Sequence, residues 1–500
     1  MKMLKEESYT GVLNKRKYAS LFFLMMVFIV FYVFFYIIHP LVPVDTDDWQ
    51  FYSDFRLAIP VYHTWNPTRV FPEMFQAFCG YIAAYIIYPI TKDYYNSLVI
   101  VNALAVSAAI TVYAHYFKNL MERRFNRTWV ESILLTTLFL LFHFWILRVH
   151  ESANPYLFYS DDVTCYYFYL IPNLTASCLV MSLLCNNWLD KNDFSYTKRG
   201  FIWLIIYLVL CSNVFCSVLF VSLVGVRVLM KCPFSSKGAL MTWLKSNGKS
   251  IAIIVFWLFI NAIESRGGRA YYLLSVCEHS WLSGIVQSVR HLGAIPMNRI
   301  FIFILLLAVV GELWMIIKNR KVKLLTVELF LMFICVLVYE IVLCAKAGTW
   351  YLTRADCMFP SFFYILIFLF YKANSLLDRW PRLMAAIPFI ILFVYSDTNQ
   401  TSSTFHDLQE DLLEAGYTID ELKEKNKQVI ESIVNGCANG NDSVFVMVPE
   451  IDRYMLNWPF MPQMYEHYAN ALHKHGVIPY KPKGKFIVAP DEENDKKDAE

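Results

Sequence analysis

Two pairs of adjacent aspartates lie among aromatic residues, each next to an apolar stretch of the sequence. Asp47-Asp48 follow the run LFFLMMVFIVFYVFFYII in HPLVPVDTDDWQFYSDF, and Asp161-Asp162 lie within ESANPYLFYSDDVTCYYFYLIPN. Adjacent carboxylates repel each other, which raises the pKa of one of them and suits it to take a proton. The pairs therefore predict general-base catalysis. The alternative interpretation is that both pairs are solvated acids in loops.

Three arginines later in the chain could bind an anion. Arg266 and Arg269 lie in ESRGGRAYY, and Arg354 lies in CAKAGTWYLTRADC. Guanidinium groups bind phosphate through charge-assisted hydrogen bonds, and the glycines between Arg266 and Arg269 would let backbone amides approach a phosphate. Any one of these arginines is explained more simply as an anchor for lipid headgroups. Together with the aspartates, they predict a reaction in which a carboxylate takes a proton and a lipid phosphate leaves.

The composition is that of a chain embedded in a membrane. Hydrophobic residues make up 57% and charged residues 17% of the chain, whereas a soluble chain carries roughly 45–50% apolar and 25% charged residues. The net charge of +3 and the lack of a basic, aromatic-rich stripe argue against nucleic-acid binding. The first apolar run is too long for a signal peptide, so it predicts an uncleaved span. The cysteines form no CxxC pair, which predicts packing roles for them.

Apolar runs predict about eleven membrane spans, since a crossing helix needs ~20 apolar residues and a protein-buried one fewer. They are roughly 19–38, 96–117, 129–147, 163–185, 201–213, 214–230, 251–264, 299–317, 324–343, 359–372 and 383–396. Lys and Arg should collect in cytoplasmic loops, and here they do so only if 200–230 is a hairpin that turns at Ser212-Asn213. The N-terminus is then cytoplasmic. The extracytoplasmic segments are 39–95, 148–162, 265–298, 344–358 and everything after 397.

The first outer segment contains a stretch with helical periodicity, NPTRVFPEMFQAFCGYIAAYIIYPI. Apolar residues recur there at helical spacing, with Arg69 and Glu73 on the opposite side. This pattern predicts a helix that lies along the membrane surface. The alternative is a second crossing segment at 74–90.

The chain divides into a membrane core, residues 1–397, and a small extracytoplasmic α/β appendage, residues 398–500. In the appendage, Thr418-Ile419-Asp420-Glu421 is a capping box that opens a helix. Strands are expected at 443–449 and 485–488, with a helix around 462–475 between them. The tail DEENDKKDAE is expected to be disordered.

This layout resembles the GT-C class of integral-membrane glycosyltransferases, most closely bacterial surface-polysaccharide members such as O-antigen glucosyltransferase-like proteins. Those families carry an acidic motif in the first outer loop, followed by an interfacial helix, and here the motif is Asp47-Asp48-Trp49. ESRGGRA aligns loosely with their Pro-Gly-Asn-x-x-Arg-like segment, keeping Gly268 and an arginine but lacking the Pro and the Asn. YLTRADC resembles their late-loop arginine segment. The resemblance covers residues 20–396 by layout, through short motifs.

The resemblance implies a GT-C core in the bacterial cytoplasmic membrane that moves a sugar from a polyprenyl-phosphate donor to an extracytoplasmic glycan or lipid-linked acceptor. The site residues that it implies are the general base Asp47 with Asp48, the second acidic pair Asp161 and Asp162, the phosphate-binding Arg266, Arg269 and Arg354, and the acceptor-side Arg69, Glu73 and Trp49. The nearby acids Asp45 and Asp54 are not needed. The two pairs could hold Mg²⁺ or Mn²⁺. Membrane lipids, a flippase and a donor synthase are the further partners implied.

Other functions stay open at this point. A flippase or transporter of lipid-linked glycans would place ionisable groups in broken helices near the bilayer midplane. The main acids of the apolar runs are Glu312, Glu328 and Glu340, and no halves repeat. A surface-polysaccharide polymerase would depend on arginines in outer loops, such as Arg266 and Arg269, and a structural scaffold has no specific support. Only the glycosyltransferase interpretation requires an acid directly after the first span.

Overall fold

The computed structural model of the chain describes residues 2–54, 66–150, 155–190, 194–233, 237–266, 280–400, 405, 418–448 and 460–488. Within these ranges the protein is mainly helical. Its helices are α1 (Lys2–Val33), α2 (Thr46–Phe51), α3 (Val70–Ile82), α4 (Tyr94–Arg124), α5 (Trp129–Trp145), α6 (Ile171–Asn186), α7 (Tyr196–Leu210), α8 (Val214–Met230), α9 (Lys237–Ser246), α10 (Gly248–Glu264), α11 (Trp281–Ala294), α12 (Arg299–Asn319), α13 (Leu324–Ala347), α14 (Ala355–Arg379), α15 (Ile387–Thr398), α16 (Ile419–Ala438) and α17 (Tyr465–Lys474). The strands are β1 (Ser443–Val448) and β2 (Lys483–Val488). Helical turns extend α1 to Ile38 and α3 to Thr91, and others lead into α6 from Val163.

Eight helical stretches in the described parts of the chain are long and apolar enough to cross a membrane. They are Arg16–Ile38, Pro67–Thr91, Tyr94–Arg124, Val163–Asn186, Arg299–Asn319, Leu324–Ala347, Ala355–Arg379 and Pro381–Thr398. The pair α9 and α10, bent by 78°, adds a ninth if it counts as one span. These helices are consistent with a multi-pass membrane protein. Three further predicted spans form α5, α7 and α8, which are 17, 15 and 17 residues long and thus shorter than the ~20 residues of a typical crossing helix.

The stretch 200–230 forms two helices, as the charge pattern predicts. α7 ends at Leu210, and α8 begins at Val214. The Asn213 side chain accepts a hydrogen bond from the Phe215 amide at 3.1 Å, which caps α8. The predicted turn at Ser212-Asn213 is therefore confirmed.

Charged loops at one end of the bundle contact each other. Arg127, just before α5, donates to the Asn374 side chain near the end of α14 at 2.6 Å. Lys231, just after α8, pairs with Asp190 at 2.8 Å. The structure thus groups loops that the sequence predicts to be cytoplasmic. The opposite end, which contains the end of α1, the start of α4, the turns that lead into α6, the turn 211–213 and the start of α14, is called the site end.

Helix α3 and its extension to Thr91 lie along the site end. This stretch passes the length and composition test for a span, yet hydrogen bonds spread over it reach residues of the site end and of helix α17, which packs against that end. They join the Phe71 amide to the Cys211 carbonyl at 3.0 Å, Gln76 to Thr164 at 2.9 Å and the Tyr85 hydroxyl to the Lys474 carbonyl at 3.2 Å. A crossing helix rises 1.5 Å per residue and would leave this end within a few turns. The contacts favour the predicted surface helix over the crossing segment.

A C-terminal unit, residues 418–448 and 460–488, packs against the site end. β1 and β2 pair in parallel, in register from Ser443 opposite Lys483. α16 begins with the predicted capping box, and the predicted strands and second helix are confirmed. The expected disordered tail lies outside the residues that the structure describes.

Candidate functional site

The acidic loop after α1 forms the short helix α2, and its own aspartates cap that helix. The Asp45 carboxylate accepts a hydrogen bond from the Asp47 amide at 2.8 Å, and the Asp48 carboxylate accepts one from the Asp45 amide at 3.1 Å. Such reciprocal bonds satisfy amides that no helical carbonyl reaches. Because a helix of 6 residues is not stable alone, α2 depends on contacts with the rest of the site end.

Asp48 joins α2 to the helical turns that lead into α6. Its side chain is fully buried, and one oxygen accepts hydrogen bonds from the Thr164 amide at 2.7 Å and the Thr164 hydroxyl at 2.8 Å. The Val44 and Asp45 amides contact its other oxygen at 2.9 and 3.1 Å. Burial, and then the nearby Asp162, raise the pKa of Asp48 to about 8, although the hydrogen bonds favour its ionised form. These four donors suit Asp48 to position the loop.

Asp47 is the carboxylate of α2 that solvent reaches. Its side chain is exposed, and its carboxylate accepts no hydrogen bond from the residues that the structure describes. Asp162 and His467 of α17 lie near enough to interact with it electrostatically. A substrate hydroxyl can therefore approach Asp47 without displacing a structural hydrogen bond.

Asp162 and Asp45 complete a cluster of carboxylates beside Asp47. The Asp162 side chain accepts a hydrogen bond from the Cys165 amide at 2.5 Å, which caps the turns leading into α6, and burial raises its pKa. Burial, and then the Asp162 charge, raise the pKa of Asp45 to about 9. The sequence alone predicts no role for Asp45 in the reaction. The structure includes it, because its capping position buries the carboxylate near Asp162.

Arg354 connects the second aspartate pair to the start of α14. Its Nη1 lies 2.6 Å from Asp161 Oδ2, while Nε and Nη2 contact the two oxygens of Asp356 at 3.0 and 2.7 Å. Asp356 is buried, whereas the Asp161 side chain is 44% exposed. The bidentate contact with Asp356 fixes the orientation of the guanidinium. An incoming anion could therefore bind Nη1 by displacing the partly exposed Asp161. The sequence alone does not single out Asp356. The feature that could have indicated its pairing with Arg354 is its position two residues later, in TRAD.

The other two arginines of the predicted phosphate site have different surroundings. Arg266 is exposed just after α10, with its amide bonded to the Ile263 carbonyl at 3.0 Å. Arg269 falls in the segment 267–279, outside the described residues. The convergence of Arg266, Arg269 and Arg354 on one cavity stays a prediction, while Arg354 is placed beside the aspartates.

Trp49 has a packing role at the site end. Its side chain is 1% exposed, and its ring stacks on Tyr468 of the C-terminal unit with centroids 3.9 Å apart. The ring is therefore covered and not available to a sugar, in contrast to the predicted acceptor role. Arg69 and Glu73 pair at 3.5 Å at the start of α3, where Glu73 is buried and Arg69 is partly exposed.

A divalent metal would need several oxygen ligands directed to one point. In the described ranges, no group of three or more His, Cys, Asp and Glu side chains is arranged to hold a metal ion. Asp45, Asp48 and Asp162 direct oxygens to backbone amides instead. The residues as placed do not fit the Mg²⁺ or Mn²⁺ site that the two pairs suggest.

The site end should become less stable as pH decreases, because of the buried His475, which follows α17. Its side chain is 2% exposed, and burial, followed by the Lys474 charge, lowers its pKa to about 4. The unfolded chain, with an ordinary pKa of roughly 6.5, binds a proton first as pH falls, so this contribution is complete above about pH 6.5 and decreases towards pH 4. Melting temperatures of the purified protein across this range should fall more steeply for the wild type than for His475→Gln. Parallel slopes would contradict the prediction.

The site end thus brings both aspartate pairs and Arg354 together on an apolar helix bundle. Asp48 and Thr164 join the first pair to the second, and Arg354 joins the second pair to α14. A scan against protein-family models and searches of curated proteins and of solved structures find no match to this chain.

Proposed function

We propose that this protein is a membrane glycosyltransferase that moves a sugar from a polyprenyl-phosphate donor to a hydroxyl of an extracytoplasmic glycan or lipid-linked acceptor. The observation that carries the proposal is the difference between Asp47 and its neighbours. Asp45, Asp48 and Asp162 are engaged by backbone amides, whereas Asp47 is exposed. An exposed carboxylate beside hydrogen-bonded aspartates at the end of an apolar helix bundle is suited to act as a general base.

In the proposed reaction the acceptor hydroxyl attacks the anomeric carbon of the donor sugar. Asp47 takes the hydroxyl proton, the new glycosidic bond forms, and the bond from the sugar to the phosphate oxygen breaks. Polyprenyl phosphate leaves with the electron pair of that bond. A positioned base contributes about 10²–10⁴-fold to such a step.

Arg354 is the proposed partner of the donor phosphate. Asp356 holds one side of its guanidinium, and the partly exposed Asp161 occupies the other side. A phosphate that displaces Asp161 from Nη1 would meet a cation already fixed in orientation. Charge-assisted hydrogen bonds of this kind are about twice as strong as neutral ones.

The proposed architecture is a GT-C-like core of residues 1–397 in the bacterial cytoplasmic membrane, with the site end on the extracytoplasmic side. Basic loops gathered at the opposite end support this orientation. Reporter fusions after residue 400 should therefore be active outside, and fusions near residue 240 should be active inside. An outside signal near residue 240 would reverse the orientation and place Asp47 in the cytoplasm.

The proposed function is tested with the purified protein in vesicles, a labelled polyprenyl-phosphate sugar and a glycan acceptor. A transferase releases polyprenyl phosphate and forms a labelled glycoside. A flippase moves the intact donor across the bilayer without cleaving it. A surface-polysaccharide polymerase joins preformed glycan units and does not need Asp47. Movement of uncleaved donor, or polymer formation that survives Asp47→Asn, would overturn the proposal.

A further inference from the structure

The C-terminal unit contacts helix α2 through an aromatic pair that the proposed chemistry does not use. Tyr468 of α17 and Trp49 of α2 are both buried, and their rings stack with centroids 3.9 Å apart. The Tyr468 hydroxyl donates to the Asn426 side chain of α16 at 2.5 Å. Tyr468 therefore links α2 to the interior of the C-terminal unit.

His475, which follows α17, makes a second contact at the other end of α2. Its Nε2 lies 3.1 Å from the carbonyl oxygen of Tyr52, and its Nδ1 lies 2.6 Å from the hydroxyl of Tyr94 at the start of α4. The Tyr52 carbonyl also packs over Gly80 of α3, where a Cβ would come within 2.3 Å of that oxygen. Through these two hydrogen bonds, His475 holds the end of α2 at the point where α2, α3 and α4 meet.

Ionic contacts surround these two anchors. Lys474 pairs with Asp54, just after α2, and Lys427 of α16 pairs with Asp93 at 2.8 Å. Each of these pairs is partly exposed, so its contribution to stability is small. The buried contacts of Tyr468 and His475 are the ones that can fix the orientation of α2.

We propose that the C-terminal unit is a positioning element of the active site, in which Tyr468 and His475 hold α2 so that Asp47 faces the reacting hydroxyl. The inference rests on the proposed function. The oxygen of a general base must lie within ~2.6–3.2 Å of the hydroxyl oxygen whose proton it takes, and a displacement of about 1 Å can cost ~10²-fold in rate. Tyr468 and His475 touch Trp49 and Tyr52 and not the reacting atoms. They are positioning residues.

Hydrogen exchange of the full-length protein tests the positioning directly, without any assay of activity. His475→Phe keeps an aromatic ring and removes both hydrogen bonds, so amides of residues 46–52 should exchange at least ~10-fold faster than in the wild type, as expected for local opening. Lys481→Ala, which removes a contact with Glu466 between two exposed side chains, should leave this exchange unchanged. Equal exchange in His475→Phe and the wild type would overturn the proposal.

The transfer assay then separates positioning from general stability. In His475→Phe we expect kcat to fall ~10²-fold with an unchanged donor KM, because Asp47 is displaced and Arg354 is not. His475→Gln should restore most of kcat, since an amide can donate to Tyr52 and accept from Tyr94. Unchanged kcat despite faster exchange would overturn the positioning role. If His475→Phe exchanges faster but the wild type forms no glycoside, only the proposed function is overturned. The contact of His475 with α2 is then still established.

Discussion

Replacement of Asp47 by asparagine is expected to reduce sugar transfer by about 10²–10⁴-fold while the protein still folds and binds the donor. Asparagine has nearly the same shape but cannot take a proton at neutral pH. The Asp47 carboxylate is exposed and accepts no hydrogen bond from the described residues. Its loss should therefore leave the melting temperature close to that of the wild type. Single-turnover rates with bound donor would measure the chemical step.

The matched control for this variant is Asp420→Asn, which removes an exposed carboxylate of the C-terminal unit. Its transfer rate should equal that of the wild type. Asp45 and Asp54 are poor controls, because Asp45 caps α2 and Asp54 pairs with Lys474. If Asp47→Asn retained nearly full activity while Asp161→Asn or Asp162→Asn lost it, the base would belong to the second pair.

The Arg354→Ala variant is expected to lose both stability and donor binding. Asp356 is buried and faces the guanidinium with both oxygens, so truncation would leave a buried carboxylate without its cation. Removing one partner of a buried ion pair costs roughly 3–5 kcal/mol. Thermal unfolding in detergent would show the loss of stability, and equilibrium binding of labelled donor would show the loss of affinity. Arg354→Lys should recover only part of either, because an ammonium group cannot form the bidentate contact.

A double variant separates the two effects of Arg354. Adding Asp356→Asn to Arg354→Ala removes the uncompensated charge, so stability should partly return. Donor binding should not return, because the proposed cation is still missing. Recovery of donor binding in the double variant would show that Arg354 acts only through folding.

The sequence predicted those features of the fold that depend on hydrophobicity and charge. Helical hairpin 200–230 followed from the distribution of Lys and Arg, and its turn at Ser212-Asn213 is confirmed. The strands and helices of the C-terminal unit followed from periodicity and the Thr418 capping box. These signals are local, so a single sequence displays them.

The arrangement of the site depended on contacts between distant segments, which no local pattern encodes. Asp48 looks like Asp47 in the sequence, yet its bonds to Thr164 make it a buried structural acid. Trp49 looks like an exposed aromatic platform, yet Tyr468 covers it from residues far along the chain. The different roles of these neighbours follow from which of them faces α6 and the C-terminal unit.

The most direct test of the account is the formation of labelled glycoside by the purified protein from a polyprenyl-phosphate sugar, with wild type and Asp47→Asn measured side by side. The account predicts a product with released polyprenyl phosphate for the wild type and at least ~10²-fold less for Asp47→Asn at equal donor binding. Equal product from both proteins would contradict the role of Asp47, and no product from a folded, donor-supplied wild type would contradict the transferase itself.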